Sequence, residues 1–226
     1  MDRIIKSPIE QHSVQVASGS IHLEGDLRIP EIARGVVLLA HGSGSSRHSP
    51  RNHYVAEELN QASFATLLID LLTLDEEEID NQTGQLRFNI NLLAERLMNA
   101  TQWLAQNLDI QKMKIGYFGA STGAAAALVA ATLQPEGICA IVSRGGRPDL
   151  AGASLSNVQA PTLFIVGERD TPVLRMNQEA LEQLRVENKL EIVPGATHLF
   201  EEPGTLEMVA RLSSEWFEQY LVTDRN

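Results

Sequence analysis

The chain has 226 residues, of which 43% are hydrophobic, so it can bury one sizeable core and is unlike a disordered chain. Eighteen basic against 29 acidic residues give a net charge of −11, which disfavours nucleic acids and anionic membranes as partners. The single Cys139 excludes an intramolecular disulfide and a multi-cysteine zinc site. Without a signal-like segment, a long apolar run or a linker, we expect one domain over residues 1–226 in a cytoplasmic protein.

Hydrophobic patterning predicts alternating strands and helices. Polar and apolar residues mix on both sides of the Ser-Gly-Ser segment 18–20, which predicts a β-hairpin over 12–17 and 20–28. Short apolar runs predict buried strands at 35–40, 64–70, 114–118, 137–142, 162–166 and 190–193. Helical spacing predicts helices at 50–62, 85–107, 121–133, 173–186 and 202–221, the first with Ser49 as N-cap.

This alternation predicts an α/β fold with a mostly parallel sheet and helices on both faces. In such sheets functional residues gather at the carboxyl ends of the strands. Residues 144–161 leave room for a loop or one short helix between two strands, so we expect no cap domain and an open, modest cleft.

The first candidate residue is Ser121, which lies in the G-x-S-x-G sequence Gly119-Ala120-Ser121-Thr122-Gly123 between a predicted strand and a predicted helix. A nucleophilic serine needs this context, because the turn is sharp and tolerates small neighbours only. The helix N-terminus also favours negative charge developing near the serine. By itself, the motif is equally consistent with an ordinary glycine-rich turn.

A base and an orienting acid are predicted at two further strand ends. Asp170 follows the strand at 162–166, and His198 follows the strand at 190–193. The order Ser121, Asp170, His198 is that of a hydrolase triad. Asp149 and Asp70 are rival acids, and Glu168 lies too close to its strand to be preferred.

Two backbone amides are expected to stabilise an oxyanion. One belongs to Thr122, directly after the serine, and the other to Ser43 in the loop after the strand at 35–40. The alternative for this loop is a flexible turn without a chemical role.

Five segments together resemble an α/β-hydrolase of the dienelactone-hydrolase-like group over about residues 20–220. They are LLAHGSGSSRHSPRN (38–52), GASTG (119–123), VSRGGRPDL (142–150), GERDTPV (167–173) and PGATHLF (194–200). Dienelactone hydrolase uses a cysteine nucleophile where this chain has Ser121. The resemblance therefore implies hydrolysis of small carboxylic esters through an acyl-enzyme, without a cofactor, and leaves thioesters and lactones as alternatives.

The positions of two arginines suggest that the substrate carries a negative charge. Arg47 and Arg144 follow strand ends inside segments without acidic residues, which is the basis for an anionic acyl substrate. Pairing with Glu57, Glu58 or Asp149 is the structural alternative.

The residue patterns also bear on a metal site and on a dinucleotide site. His41, His48 and His53 have no carboxylate between them, so no metal site is predicted. The Gly-rich segment 42–47 with Asp70 imitates a dinucleotide-binding fingerprint, but Arg47 stands at the third glycine. A non-catalytic interaction protein is disfavoured by the complete triad, and the oligomeric state is left open.

Overall fold

A computed structural model describes residues 9–106, 110 and 112–222, and its central element is one eight-stranded sheet. The strands are β1 (Ile9–Ser18), β2 (Ile21–Pro30), β3 (Val36–Ala40), β4 (Ala65–Ile69), β5 (Ile115–Ala120), β6 (Ile138–Arg144), β7 (Thr162–Gly167) and β8 (Asn188–Val193). The helices are α1 (Pro50–Gln61), α2 (Leu74–Thr83), α3 (Ile90–Gln106), α4 (Thr122–Leu133), α5 (Thr171–Leu181) and α6 (Thr205–Leu221). A 3₁₀ helix spans Pro148–Asn157.

The strand order is β1-β2-β4-β3-β5-β6-β7-β8. β1 and β2 form the predicted hairpin, β2 pairs antiparallel with β4, and all later pairs are parallel. The mostly parallel sheet is thereby confirmed. Its parallel strands place their carboxyl ends at one edge, where the predicted site residues follow them.

The core lies on both faces of the sheet. Every residue of β3, β4, β5 and β7 is buried, as the continuous apolar runs predict. One face packs against α1 and α6, and the other against α3, α4 and α5. Within the described ranges, no helix is both long enough and apolar enough to cross a membrane.

Each predicted helix and strand is present, with ends shifted by at most five residues. Residue 107 of the predicted helix 85–107 and the chain ends of the predicted domain lie outside the described residues. Ser49 caps α1 by accepting the Asn52 amide, as expected. The segment 144–161 contains the short 3₁₀ helix and no larger insertion.

Helix α2 is absent from the sequence-based prediction because it has no apolar stripe. It begins with a capping box between Thr73 and Glu76, and its one buried side chain is Asp80. Ion pairs attach it to the body of the protein: Glu76 binds Arg96 of α3, and Asp80 binds Arg87 in the segment that follows α2. It stands beside the carboxyl end of the sheet, after β4.

The turn between β5 and α4 is packed too tightly for side chains at its glycines. A Cβ on Gly119 would lie 2.4 Å from Cα of Ala124, and one on Gly123 would lie 2.4 Å from the carbonyl oxygens of Ala40 and His41. These neighbours are backbone atoms, which cannot rotate away. The end of β3 and the start of α4 are therefore held in direct contact.

We expect Gly123→Ala to lower the free energy of unfolding by about 2–4 kcal/mol, since the methyl group would push α4 away from β3. Urea unfolding followed by circular dichroism measures this loss. Gly137→Ala is the matched control, because a Cβ there would lie 3.4 Å from its nearest neighbour, an ordinary contact. Equal losses in the two variants would contradict the packing argument.

Candidate active site

Ser121 occupies the strained position of the turn between β5 and α4. Its φ of 50° and ψ of −118° are unfavourable for a residue with a side chain. Its amide donates to the Arg144 carbonyl at 3.2 Å, and its own carbonyl accepts from the amides of Ala124 and Arg147, each at 3.1 Å. These bonds hold the backbone while the hydroxyl makes no helix-capping bond. Oγ is thus left available at the end of the strand.

Asp170 and His198 are in direct contact, with 2.6 Å between Oδ2 of the aspartate and Nδ1 of the imidazole. Asp170 stands at the N-cap position of α5, yet its side chain caps nothing and turns to His198. An ionised carboxylate only accepts hydrogen bonds, so Nδ1 is the donor and Nε2 is free to take a proton. The aspartate side chain is 11% exposed and the histidine side chain 40%.

Close packing of the ends of β7 and β8 fixes the loops that carry this acid and this histidine. A Cβ on Gly167 would lie 2.5 Å from the Ala196 carbonyl oxygen, so only glycine fits there. The Arg169 amide donates to the same carbonyl at 2.9 Å, and the Glu168 carboxylate accepts the Gly195 amide at 2.7 Å. Glu168 therefore links the two loops.

The serine and the histidine each lie beside the end of β6. Ser121 binds Arg144 through its backbone, and the His198 ring lies against the next residue, Gly145, where a Cβ would be 3.4 Å from ring atoms. On the other side, a Cβ on Gly42 would lie 3.0 Å from Cβ of Ser121. The fold therefore gathers the three predicted triad residues and the loop after β3 at one edge.

The rival acids are engaged elsewhere. Asp149 binds the Arg147 guanidinium through both carboxylate oxygens, at 2.8 and 2.7 Å. Asp70 accepts the backbone amide of Arg47 at 2.6 Å and pairs with the same residue's guanidinium. Both oxygens of Asp70 are thus used, which also removes the free carboxylate that a dinucleotide ribose would need.

The two residues predicted to stabilise an oxyanion bind each other. The Ser43 amide donates to Oγ1 of Thr122 at 2.8 Å, so an oxyanion would have to replace that hydroxyl as acceptor. His41, whose role was not foreseen, holds the loop through both ring nitrogens. Nδ1 lies 2.9 Å from the Gly42 carbonyl oxygen, and Nε2 accepts the Leu71 amide at 3.3 Å.

A cavity of about 430 Å³ opens beside Ser43 and Thr122. One wall is the loop 41–50, and the opposite wall comes from α2 and from Arg87. Glu77 of α2 lines this cavity, and partial burial, with the nearby negative charge of Asp70, raises the pKa of its carboxyl. The three predicted triad residues do not line this cavity, which adjoins them through Thr122 and Ser43.

The Arg47 side chain lies among acidic groups. It pairs with Asp70 and lies 3.8 Å from Asp26 and 3.9 Å from Glu24. These acids, from β2 and the end of β4, stand in place of the expected partners Glu57, Glu58 and Asp149. This surrounding favours a structural role for Arg47.

Arg144 is the opposite case, a buried guanidinium that pairs with no carboxylate of the described residues. The residue is 8% exposed, and among the described residues its Nη1 has no hydrogen-bond partner. It stacks on the Phe118 ring, with 5.9 Å from Cζ to the ring centre. Burial, with the nearby positive charge of Arg51, lowers its pKa to about 10.

One group of potential metal ligands appears only in three dimensions. Asp26 of β2 joins His48 and His53, with their ligand atoms within 4.8 Å of one another. No local sequence pattern indicates this group, because the carboxylate comes from a distant strand. Arg28 lies 3.4 Å from Nδ1 of His53, and Arg47 lies 3.8 Å from Asp26. Two guanidinium groups at these distances disfavour a bound cation.

The sheet order, the strained serine after β5 and the Asp170–His198 contact define an α/β-hydrolase. The family model described as "Dienelactone hydrolase family" matches residues 24–220, and the chain belongs to that family.

Individual proteins are similar to this chain over most of its length. A crystal structure of a dienelactone hydrolase from Anabaena variabilis shares 61% identity and a TM-score of 0.92, covering 94% of this chain and 99% of that one. An esterase from Pyrococcus furiosus, at 19% identity and a TM-score of 0.72, covers 94% of each chain and shows the fold alone.

A Mycobacterium tuberculosis protein, provisionally named a phosphoribosyl transferase, is 55% identical over 221 residues. The match covers 98% of this chain and 49% of that protein. The chain therefore spans about half the length of the curated relatives it matches, and the activity in their name is not assigned to it.

Proposed function

We propose that this protein is a serine hydrolase that cleaves small carboxylic esters through an acyl-enzyme, with Ser121, His198 and Asp170 as its triad. The observation that carries the proposal is the 2.6 Å contact between Asp170 and His198 at the edge where the strained Ser121 stands. The family and the 61% identical relative support hydrolysis. A cytoplasmic location and a small acyl substrate belong to the same proposal.

In the first half-reaction, Nε2 of His198 takes the proton of Ser121 as Oγ attacks the ester carbonyl. Asp170 holds the ring and stabilises the imidazolium. The amides of Thr122 and Ser43 then bind the oxyanion, which replaces the Thr122 hydroxyl as the acceptor of the Ser43 amide. His198 returns the proton to the leaving alcohol, and the acyl-enzyme remains.

In the second half-reaction, His198 takes a proton from water, which attacks the acyl carbonyl. Collapse of the second oxyanion releases the acid and restores the serine hydroxyl. Thioesters and lactones would follow the same route, because the triad acts on the carbonyl and not on the leaving atom. A matched panel of oxygen esters, thioesters and lactones distinguishes them through kcat/KM.

The nucleophile is tested by labelling with a fluorophosphonate and mapping the modified peptide. We expect one adduct on Ser121 of the folded protein, and none in Ser121→Ala. Ser20→Ala, in the exposed turn between β1 and β2, is the control and should label like the parent. An unlabelled Ser121 in folded protein would overturn the proposed mechanism.

The acid is tested by comparing Asp170→Asn with Asp149→Asn on one p-nitrophenyl ester. Asn at 170 keeps the shape but removes the charge that stabilises the imidazolium, so we expect kcat to fall by about three to four orders of magnitude. Asp149→Asn disturbs only a half-exposed ion pair with Arg147 and should keep kcat within about threefold. The reverse ranking would identify Asp149 as the acid.

For the substrate, we propose that Arg144 rather than Arg47 faces an anionic group. Arg144 has no acidic partner among the described residues, and its backbone binds the amide of Ser121. A buried cation without a counter-charge is costly, so a carboxylate or phosphate near it would be stabilised.

Matched p-nitrophenyl esters of butyric and succinic acid test this assignment. Arg144→Met should raise KM for the anionic ester about tenfold and leave the neutral ester near its parent value. Arg47→Met should keep the preference and instead lower the free energy of unfolding by about 3 kcal/mol, since it removes the guanidinium that neutralises the buried Asp70 carboxylate. An unchanged preference in Arg144→Met would remove this residue from substrate binding.

A further inference from the structure

The cavity beside Ser43 and Thr122 contains two polar groups that make no hydrogen bond or ion pair with the described residues. One is the carboxylate of Glu77 on α2, and the other is the Nη1 edge of Arg87. Apart from two histidines, the remaining charged residue that lines the cavity is Asp80, which forms an ion pair with Arg87. The chemistry of an occupant therefore depends on this pair.

Glu77 is half-buried and makes no hydrogen bond or ion pair through its carboxylate with any residue in the described ranges. Its backbone amide is used inside α2, where it donates to Thr73 at 2.8 Å. Partial burial and the neighbouring charge of Asp70 oppose its ionisation, whereas His41, Arg47 and Arg87 favour it. A carboxylate in this position is stabilised when a ligand donates a hydrogen bond to it.

Arg87 is held in one orientation. Its Nε donates to the Asp80 carboxylate, and its Nη2 donates to the Asp80 carbonyl at 3.1 Å and to Asn81 at 3.2 Å. Nη1 forms no hydrogen bond with the residues that the structure describes, and it lies 3.9 Å from where a Cβ of Gly44 would stand. This fixed donor therefore faces the loop after β3.

The Glu77 carboxylate as acceptor and the held Arg87 guanidinium as donor favour a ligand group that can both donate and accept. Hydroxyl groups do so without charge. The Arg87 guanidinium would repel an ammonium group of a ligand, and the Glu77 carboxylate would repel a carboxylate. A ligand group of either charge is therefore disfavoured at one of the two positions. The hydroxyl side chains of Ser45 and Ser46 add further partners of the same kind.

We infer that the cavity between α2 and the loop 41–50 binds a neutral hydroxylated part of the substrate, and that Glu77 determines this specificity. The inference rests on the proposed hydrolase function, because Ser43 and Thr122 line both the cavity and the predicted oxyanion site. A hydroxylated group in the cavity would thus belong to an ester whose carbonyl lies at Ser121. It does not compete with the group assigned to Arg144, whose side chain lies over Phe118 on the face of α1 and α6.

Two matched substrate pairs place the hydroxyl groups on either side of the ester. Glyceryl 1-butyrate is compared with propyl butyrate, and p-nitrophenyl 3-hydroxybutyrate with p-nitrophenyl butyrate. In at least one pair we expect the hydroxylated member to have the higher kcat/KM, by about tenfold. Glu77→Gln keeps the shape but replaces the carboxylate with a weaker acceptor, and should reduce that preference about fivefold, mainly through KM.

Glu78→Gln is the matched control, because Glu78 is an exposed neighbour on the same helix that does not line the cavity. Glu78→Gln should keep the full preference and cleave propyl butyrate at the parent rate. A parent enzyme without preference in either pair, or an unchanged preference in Glu77→Gln, would overturn the inference. If butyrate esters are cleaved and Ser121 is labelled, such a result removes the specificity assignment alone, whereas an unlabelled Ser121 removes the hydrolase proposal itself.

Discussion

The arrangement of the site depends on the direct backbone contact between the end of β3 and the first turn of α4. At Gly123 there is no space for even a methyl group, since the carbonyl oxygens of Ala40 and His41 occupy it. This contact forces the chain to reverse sharply at Ser121 and brings the loop after β3 beside it. The serine is therefore presented together with the backbone amides that would receive the oxyanion.

Charge is distributed so that most arginines near this edge are neutralised by acids from another element. Arg47 forms an ion pair with Asp70, Arg87 with Asp80 and Arg96 with Glu76. Arg144 departs from this rule, since it is buried against an aromatic ring with a second arginine nearby. A net charge of −11 for the whole chain thus coexists with a buried positive charge next to the serine.

Much of this architecture could be predicted from the sequence, because continuous apolar runs and strand-to-helix turns are local signals. The positions of Ser121, Asp170 and His198 relative to the strands followed from such signals. Helix α2 was not predicted because it lacks an apolar stripe, although the residues of its capping box, Thr73 and Glu76, are visible in the sequence.

Contacts between distant segments had no local signal. The bond from the Ser43 amide to Thr122, the approach of Asp26 to two histidines and the pairing of Arg47 with Asp70 all join segments far apart in the chain. Only the strand order brings these residues together. For the same reason, the acid-free segment around Arg47 did not indicate an ion pair, whereas the fold places Asp70, at the end of β4, next to this arginine.

The attachment of α2 has a consequence for the behaviour of the cavity. Leu74 and Ile79 of this helix are 72% and 57% exposed, so apolar packing contributes little to holding it. The ion pairs of Glu76 with Arg96 and of Asp80 with Arg87 hold it instead, and salt screens such largely buried pairs only weakly. The hydrogen bond to Arg96 lowers the pKa of Glu76, and the burial of Asp80 is outweighed by hydrogen bonds from Arg87 and Leu86, which lower the pKa of its carboxyl. Both pairs therefore persist at neutral pH and are lost as the pH falls through these lowered values. Acid would loosen this wall of the cavity, whereas the tightly packed turn that carries Ser121 does not depend on such a charge pair.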